Sequence, residues 1–158
     1  MEIVLTAGVG NGPTALAAFD GALQDAGIAN YNLIPLSSVI PIGARIVERR
    51  PEHRPDHYGW RLYVVLSVAH TEHSGAAYAG LGWMQTKDGR GLLVEHHGGS
   101  AEEVHQRITS SLTHMRKGRA YQYGDSAEKI IGTTADSMPS CAVVAAVFQA
   151  QNWTYAHR

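Results

Sequence analysis

Two adjacent serines, Ser37 and Ser38, lie inside Asn30-Tyr31-Asn32-Leu33-Ile34-Pro35-Leu36-Ser37-Ser38-Val39-Ile40-Pro41, an otherwise apolar run. Such a pair can do chemistry on its own peptide bond. The second hydroxyl can attack the carbonyl carbon of the first serine and move that acyl group from nitrogen to oxygen, provided the backbone is strained and the oxyanion stabilised. Ser37 would then be held as an ester on Ser38. Loss of the Ser38 α-proton expels the Ser37 carboxylate, and hydrolysis of the resulting dehydroalanine releases ammonia and leaves an N-terminal ketone, a pyruvoyl group. The chain would be cut into residues 1–37 and 38–158. Leu33, Ile34, Leu36, Val39 and Ile40 predict a segment drawn into a core, which carries both hydroxyls to a low-dielectric place where each needs a partner. Pro35 and Pro41 narrow the conformations of the residues around the pair. Two strand serines bonded to neighbouring backbone are the alternative reading.

Other residue clusters carry weaker chemistry. Gly8-Val9-Gly10-Asn11-Gly12-Pro13 follows a predicted strand and precedes a helix, but a dinucleotide fingerprint needs glycine where Pro13 stands, and a phosphate loop needs Lys followed by Ser or Thr. The nine histidines form no ligand set. His96 and His97 are strand neighbours on opposite faces, His53 and His57 are denied a helix by Pro51 and Pro55, and His70 and His73 have no third partner. No Gly-x-Ser-x-Gly elbow surrounds either serine of the pair, which disfavours a serine hydrolase.

The elements that would position these groups follow from periodicity. Glu2 to Thr6 reads as a strand, the glycines after it as a loop, and Pro13 as the first residue of a helix that ends at Gly27. Leu16, Asp20, Leu23 and Gly27 share one helical face, so Asp20 is expected on or beside the apolar stripe. Arg45 to Asp56 mixes charges and reads as a solvated loop. Arg61 to His70, Ser74 to Thr86 and Leu92 to His96 read as strands, the last two joined by an Asp88-Gly89 turn, and three adjacent antiparallel strands are the simplest arrangement. Ser100-Ala101-Glu102-Glu103 is a capping box opening a helix that runs to Gly118. Glu128 to Asp136 and Cys141 to Gln149 are two further strands, the last apolar enough to be buried on both faces. The order predicts an α+β fold, with helices packed on a mainly antiparallel or mixed sheet.

With 158 residues the chain is expected to be one domain. Thirteen basic and 14 acidic residues, a net charge of -1, argue against a nucleic-acid surface or a polybasic membrane contact. One cysteine, Cys141, and no leader or long apolar span give a cytoplasmic protein as the expectation.

The stretch Phe19 to Ile34, followed by Ser37-Ser38 and Pro41, together with Gly91-Leu92-Leu93-Val94-Glu95, closely resembles the pyruvoyl-dependent arginine decarboxylases. The resemblance implies a four-layer αββα sandwich and cleavage between Ser37 and Ser38. It also implies a covalent pyruvoyl cofactor made from Ser38 and conversion of L-arginine to agmatine and CO2. It assigns Ser38, Glu95 and Asn32 to catalysis, and Asp20, with Leu23, to the substrate, Asp20 binding the guanidinium. Glu95 would give the proton to the α-carbon, which needs a carboxylic acid kept protonated by burial beside Leu93 and Val94; a solvent-facing edge-strand acid is the alternative. Asn32 and Ser38 are six residues apart on an extended segment, so contact needs a bend, a neighbouring strand or another subunit. The resemblance further implies homotrimers, or hexamers, with active sites between subunits. Pro35 and the His96-His97 pair depart from the family pattern, and the alternatives are another amino acid such as histidine as substrate, or an unprocessed relative without activity.

Overall fold

From Cys141 to Ala146 every residue is fully buried, with alternate side chains facing two different layers. Cys141, Val143 and Ala145 face one helix, while Ala142, Val144 and Ala146 face a second sheet. A strand with two apolar faces must lie inside a stack, and the rest of the chain is built around it. The computed structural model describes residues 1–153. Its elements in order are β1 (Glu2–Asn11), α1 (Ala15–Ala26), β2 (Asn32–Pro35), β3 (Val39–Ile40), β4 (Arg45–Glu48), a 3-10 turn at Pro55–His57, β5 (Arg61–Thr71), β6 (Gly75–Gln85), β7 (Gly91–Gly98), α2 (Ala101–Lys117), β8 (Ala127–Ala135) and β9 (Ser140–Gln151).

One sheet has the order β2-β5-β9-β1-β4, the other β3-β7-β6-β8. The first is mixed, because β1–β4 and β2–β5 are parallel; the ladders of the second are all antiparallel. Three apolar layers result. Ala18, Ala22, Leu23 and Ala26 of α1 cover the mixed sheet, the two sheets meet through Ile3, Leu5, Val65, Leu81, Leu93 and Val144, and Val104, Ile108 and Leu112 of α2 cover the second sheet. This is the expected αββα sandwich. No helix among the described residues is long and apolar enough to cross a membrane.

The capping box forms as read from the sequence: the Ser100 hydroxyl accepts from the Glu103 amide at 3.2 Å, while Glu103 Oε2 reaches back to the Gly99 amide at 2.9 Å. The glycine-rich stretch does not form a loop. Gly8 and Gly10 lie within β1, where a Cβ would run into the α1 backbone at Ala18, Ala22 and Ala26, so these glycines let helix and strand approach closely. Pro13 lies before the helix rather than in its first turn; Thr14 is the N-cap, accepting from the Ala17 amide at 3.1 Å. The helix ends at Gly27 in the left-handed conformation, as expected. Arg45–Glu48 is a strand, paired parallel to β1, with Arg45 ion-paired to Glu2. Nor are β5, β6 and β7 three neighbours, since β5 pairs with β2 and β9 in the mixed sheet while β6 and β7 pair in the other. Alternation reports which residues face a core, and it is the same whether the next strand lies beside or above.

Gly10→Ala should therefore lift α1 from β1. We expect destabilisation of about 3 kcal/mol, at the upper end for overpacking because the collision is with backbone rather than a movable side chain. Thermal unfolding beside wild type measures it, and an unchanged melting temperature would refute the close-approach account.

Candidate active site

The chain changes sheets at Ser37. Before it, the Leu36 amide donates to the Val64 carbonyl at 2.9 Å and extends the pairing of β2 with β5. After it, the Leu93 amide donates to the Ser38 carbonyl at 2.9 Å and extends the pairing of β3 with β7. Since β2 and β3 are each the outermost strand of their sheet, the Ser37–Ser38 peptide spans the open edge of the sandwich. The apolar flanks draw the segment only half inward. Ser37 is exposed, Ser38 half-buried, and Val39 is 58% exposed, because an edge strand has a core on one side only.

Ser38 Oγ donates to Glu95 Oε2 at 2.8 Å. Strand alternation brings the two together: Leu92 and Val94 point toward α2, Leu93 toward the mixed sheet, and Glu95 leaves β7 on the Leu93 side. The Leu93–Ser38 bond fixes the register, so serine and glutamate meet two residues along. Glu95 is exposed in the single chain. The desolvation expected from Leu93 and Val94 is absent: Val94 points to the opposite face, and Leu93, on the same face, is buried in the layer between the sheets while the Glu95 side chain two residues on is exposed.

The other two polar candidates lie elsewhere in the protomer. Asn32 heads β2, where its side-chain amide donates to the Gly59 carbonyl at 2.7 Å, an oxygen that also accepts from Trp153 Nε1 at 2.9 Å. Asp20 is on the solvent side of α1 and accepts from Gln24 Nε2 at 2.6 Å. The stripe beneath α1 is Ala18, Ala22, Leu23 and Ala26, offset from the expected face, and Leu16 is 76% exposed. Alanines were the better guide because the helix sits close on Gly8 and Gly10, where leucines would not fit. Leu23 is buried in that stripe. Among the described residues no hydrogen bond joins Asp20 or Asn32 to Ser38 or Glu95.

The histidines are dispersed, and no group of three His, Cys, Asp or Glu side chains converges among the described residues. His96 turns toward α2, with Nε2 2.8 Å from Ser111 Oγ, and its burial lowers its pKa below the usual histidine value. His57 stacks on Trp60 at 3.9 Å between ring centres. Burial pushes the Cys141 thiol up to about 11, leaving it unreactive. Sequence reasoning passed over Ser67, a buried hydroxyl of β5 that donates to the His96 carbonyl at 2.6 Å. No spacing marks it, since a serine in an apolar strand looks the same whether it bonds within its own sheet or to another.

Comparison with known proteins gives a family match over most of the chain. The model of the pyruvoyl-dependent arginine decarboxylase family matches residues 2–152. A pyruvoyl-dependent arginine decarboxylase of Halobacterium salinarum is 35% identical over 140 residues, covering 87% of this chain and 86% of that protein. One of Methanothermobacter thermautotrophicus is 34% identical over 150 residues, covering 93% and 95%. One of Thermococcus sibiricus is 30% identical over 150 residues, covering 92% and 93%.

Proposed function

The chain belongs to the pyruvoyl-dependent arginine decarboxylase family, and from that premise we propose that it removes CO2 from L-arginine, giving agmatine, with a pyruvoyl group made from its own Ser38. The observation that carries this reading is the Ser38–Glu95 hydrogen bond, at the point where the chain passes directly from edge strand β2 of one sheet into edge strand β3 of the other.

The first step is on the chain itself. Ser38 Oγ attacks the Ser37 carbonyl carbon, the Ser37–Ser38 C–N bond breaks, and the hydroxyl proton passes to the freed nitrogen. Glu95, by accepting from the hydroxyl, fixes its direction, and the hydrogen bonds of Leu36 and Ser38 to the two sheet edges on either side limit the rotation of the bond under attack. Elimination leaves Ser37 as a carboxylate carrying the former Ser38 oxygen. One water is then consumed, ammonia is released, and residue 38 becomes the ketone. The mature protein would consist of residues 1–37 and 38–158.

The surroundings fit that group: its adjoining amide carbonyl is the one held by the Leu93 amide, and Glu95 stands within hydrogen-bond reach of the same residue. The ketone, once formed, supplies the electron sink for the pair left behind when the α-carboxylate departs. The side chains supply the rest. Glu95 returns a proton to the substrate α-carbon, and Asp20 pairs with the guanidinium. Asp20 rides on the outer face of α1, so we assign this contact to Asp20 of a neighbouring copy, in a trimer or hexamer whose subunits complete one another's sites. Asn32, at the far end of β2, would join from the same neighbour. The approach of that copy would also remove Glu95 from water, the desolvation that a protonated carboxyl needs.

Asp20→Asn tests the substrate assignment. It should leave cleavage intact and raise the KM for arginine about 10- to 100-fold, the scale of a lost charge-assisted pair. An unchanged KM would refute the guanidinium contact. The function as a whole is tested by denaturing intact mass with a carbonyl-trapping reagent, followed by an assay of CO2 release from arginine. Two fragments divided after Ser37, with a trappable ketone on the larger, are expected. A single untrapped chain without activity would overturn the reading.

A further inference from the structure

The two sheets meet mainly through alanine, valine, leucine and isoleucine; of the buried serines between them, Ser140 at the start of β9 donates to the Thr134 carbonyl of β8 at 3.3 Å, and Ser67 lies farther in, beside the strand that carries Glu95. Ser67 is 3% exposed and sits on β5 between Val65 and Ala69, both of which point into the same apolar layer. Its oxygen donates to the His96 carbonyl at 2.6 Å and accepts from the Gly80 amide at 3.1 Å. Gly80 and His96 face each other across β6 and β7, so this side chain of the mixed sheet is bonded to both sides of a single rung of the other sheet. Alanine would fill the same place in the apolar layer without a polar group to satisfy.

The rung is the one that follows Glu95. On the other side of Glu95, the Leu93 amide is bonded to the Ser38 carbonyl. Strand β7 is therefore tied at two points that bracket the glutamate, toward the serine pair at residue 93 and down to β5 at residue 96. We propose that Ser67 is a positioning residue for Glu95: by holding the His96 carbonyl it sets how β7 sits over the mixed sheet, and with it the direction in which the Glu95 carboxyl meets residue 38. Ser67 touches neither substrate nor residue 38, and acts through the backbone. The inference rests on the role given above to Glu95.

The reason to expect a kinetic effect is geometric. Proton delivery to a carbon depends steeply on the donor's position, and a displacement on the order of 1 Å can cost about 100-fold. Without the hydroxyl, β7 keeps its ladders to β6 and β3 but loses this hydrogen bond to the mixed sheet beside Glu95.

The test uses the full-length protein and the variants Ser67→Ala, Ser67→Thr and Val65→Ala. The last removes packing from the same layer without removing a bond. Ser67→Ala is expected to be cleaved, to keep its KM for arginine within about twofold, to lose about 10- to 100-fold in kcat, and to shift the pH profile of kcat. Ser67→Thr, which keeps the hydroxyl, should restore both kcat and the profile, and Val65→Ala should leave the profile unmoved. A wild-type kcat and profile in Ser67→Ala would overturn the proposal, as would an equal shift in Val65→Ala. Should Ser67→Ala not accumulate as folded protein, Ser67→Cys, similar in shape but a weaker hydrogen-bonding group, is held to the same criteria. If wild type itself releases no CO2 from arginine, it is the decarboxylase reading that fails. Ser67 is then judged by amide hydrogen exchange: faster exchange confined to Gly80 and the Glu95–His97 stretch of Ser67→Ala supports the clamp, and unchanged exchange refutes it.

Discussion

Ser38→Ala is expected to yield one uncut chain of 17.0 kDa with no measurable release of CO2 from arginine. The attacking oxygen is gone, so the acyl group of Ser37 has nowhere to move, and no ketone can form. Activity should fall to the uncatalysed background, a loss on the order of 10⁶-fold or more. The fold should survive. The hydroxyl makes one hydrogen bond, to an exposed carboxylate at a half-buried position, and its removal should cost about 1 kcal/mol or less. That separation of effects makes the variant informative, because loss of activity cannot then be attributed to unfolding. Denaturing mass and thermal unfolding on one preparation check it, and a cleaved, active Ser38→Ala protein would exclude residue 38 as the source of the ketone.

Glu95→Gln is expected to separate the two stages at the same site. The glutamine carbonyl can still accept the Ser38 hydroxyl bond that glutamate accepts at 2.8 Å, so two fragments should still appear. What the amide cannot do is give up a proton. Turnover should fall about 10²- to 10⁴-fold, the usual worth of a general acid, with a smaller change in the KM for arginine. The comparison is one of mass against rate: cut protein with wild-type turnover would place the proton donor elsewhere, and uncut protein would make Glu95 a participant in cleavage rather than a guide to the hydroxyl.

The fold was legible where local rules suffice. The capping box at Ser100, the Gly27 stop, and the two apolar faces of Cys141 to Ala146 are consequences of short-range pattern, and each is present. Errors arose where partners are distant in sequence. Gly8 and Gly10 read as a loop because the helix residues they touch lie 8 to 18 positions further on, and the setting of Asp20 differs from the expectation for the same reason, since those glycines bring an alanine face onto the sheet. The Ser37–Ser38 pair and Glu95 were identified from sequence, and their contact spans 57 positions, which no periodicity could show. The exposure of Ser37 runs against the core segment its apolar neighbours predict, and that of Glu95 matches the solvent-facing alternative, because apolar neighbours in sequence need not be neighbours in space when a strand lies at a sheet edge.

The strand order β2-β5-β9-β1-β4 carries a consequence for the lifetime of the protein. On the proposed cut, the small fragment owns β1 and β2, and the large one owns β5 and β9 lodged between them, with β4 beyond. The fragments are interleaved like fingers of clasped hands, held by three ladders and no covalent bond. Before the cut, loss of structure is a reversible event within one molecule; after it, the halves that come apart must find each other again by diffusion, in competition with aggregation of the exposed β5 and β9 edges. Maturation thus turns a protein whose persistence is a matter of equilibrium into one whose persistence is a matter of how seldom the clasp opens.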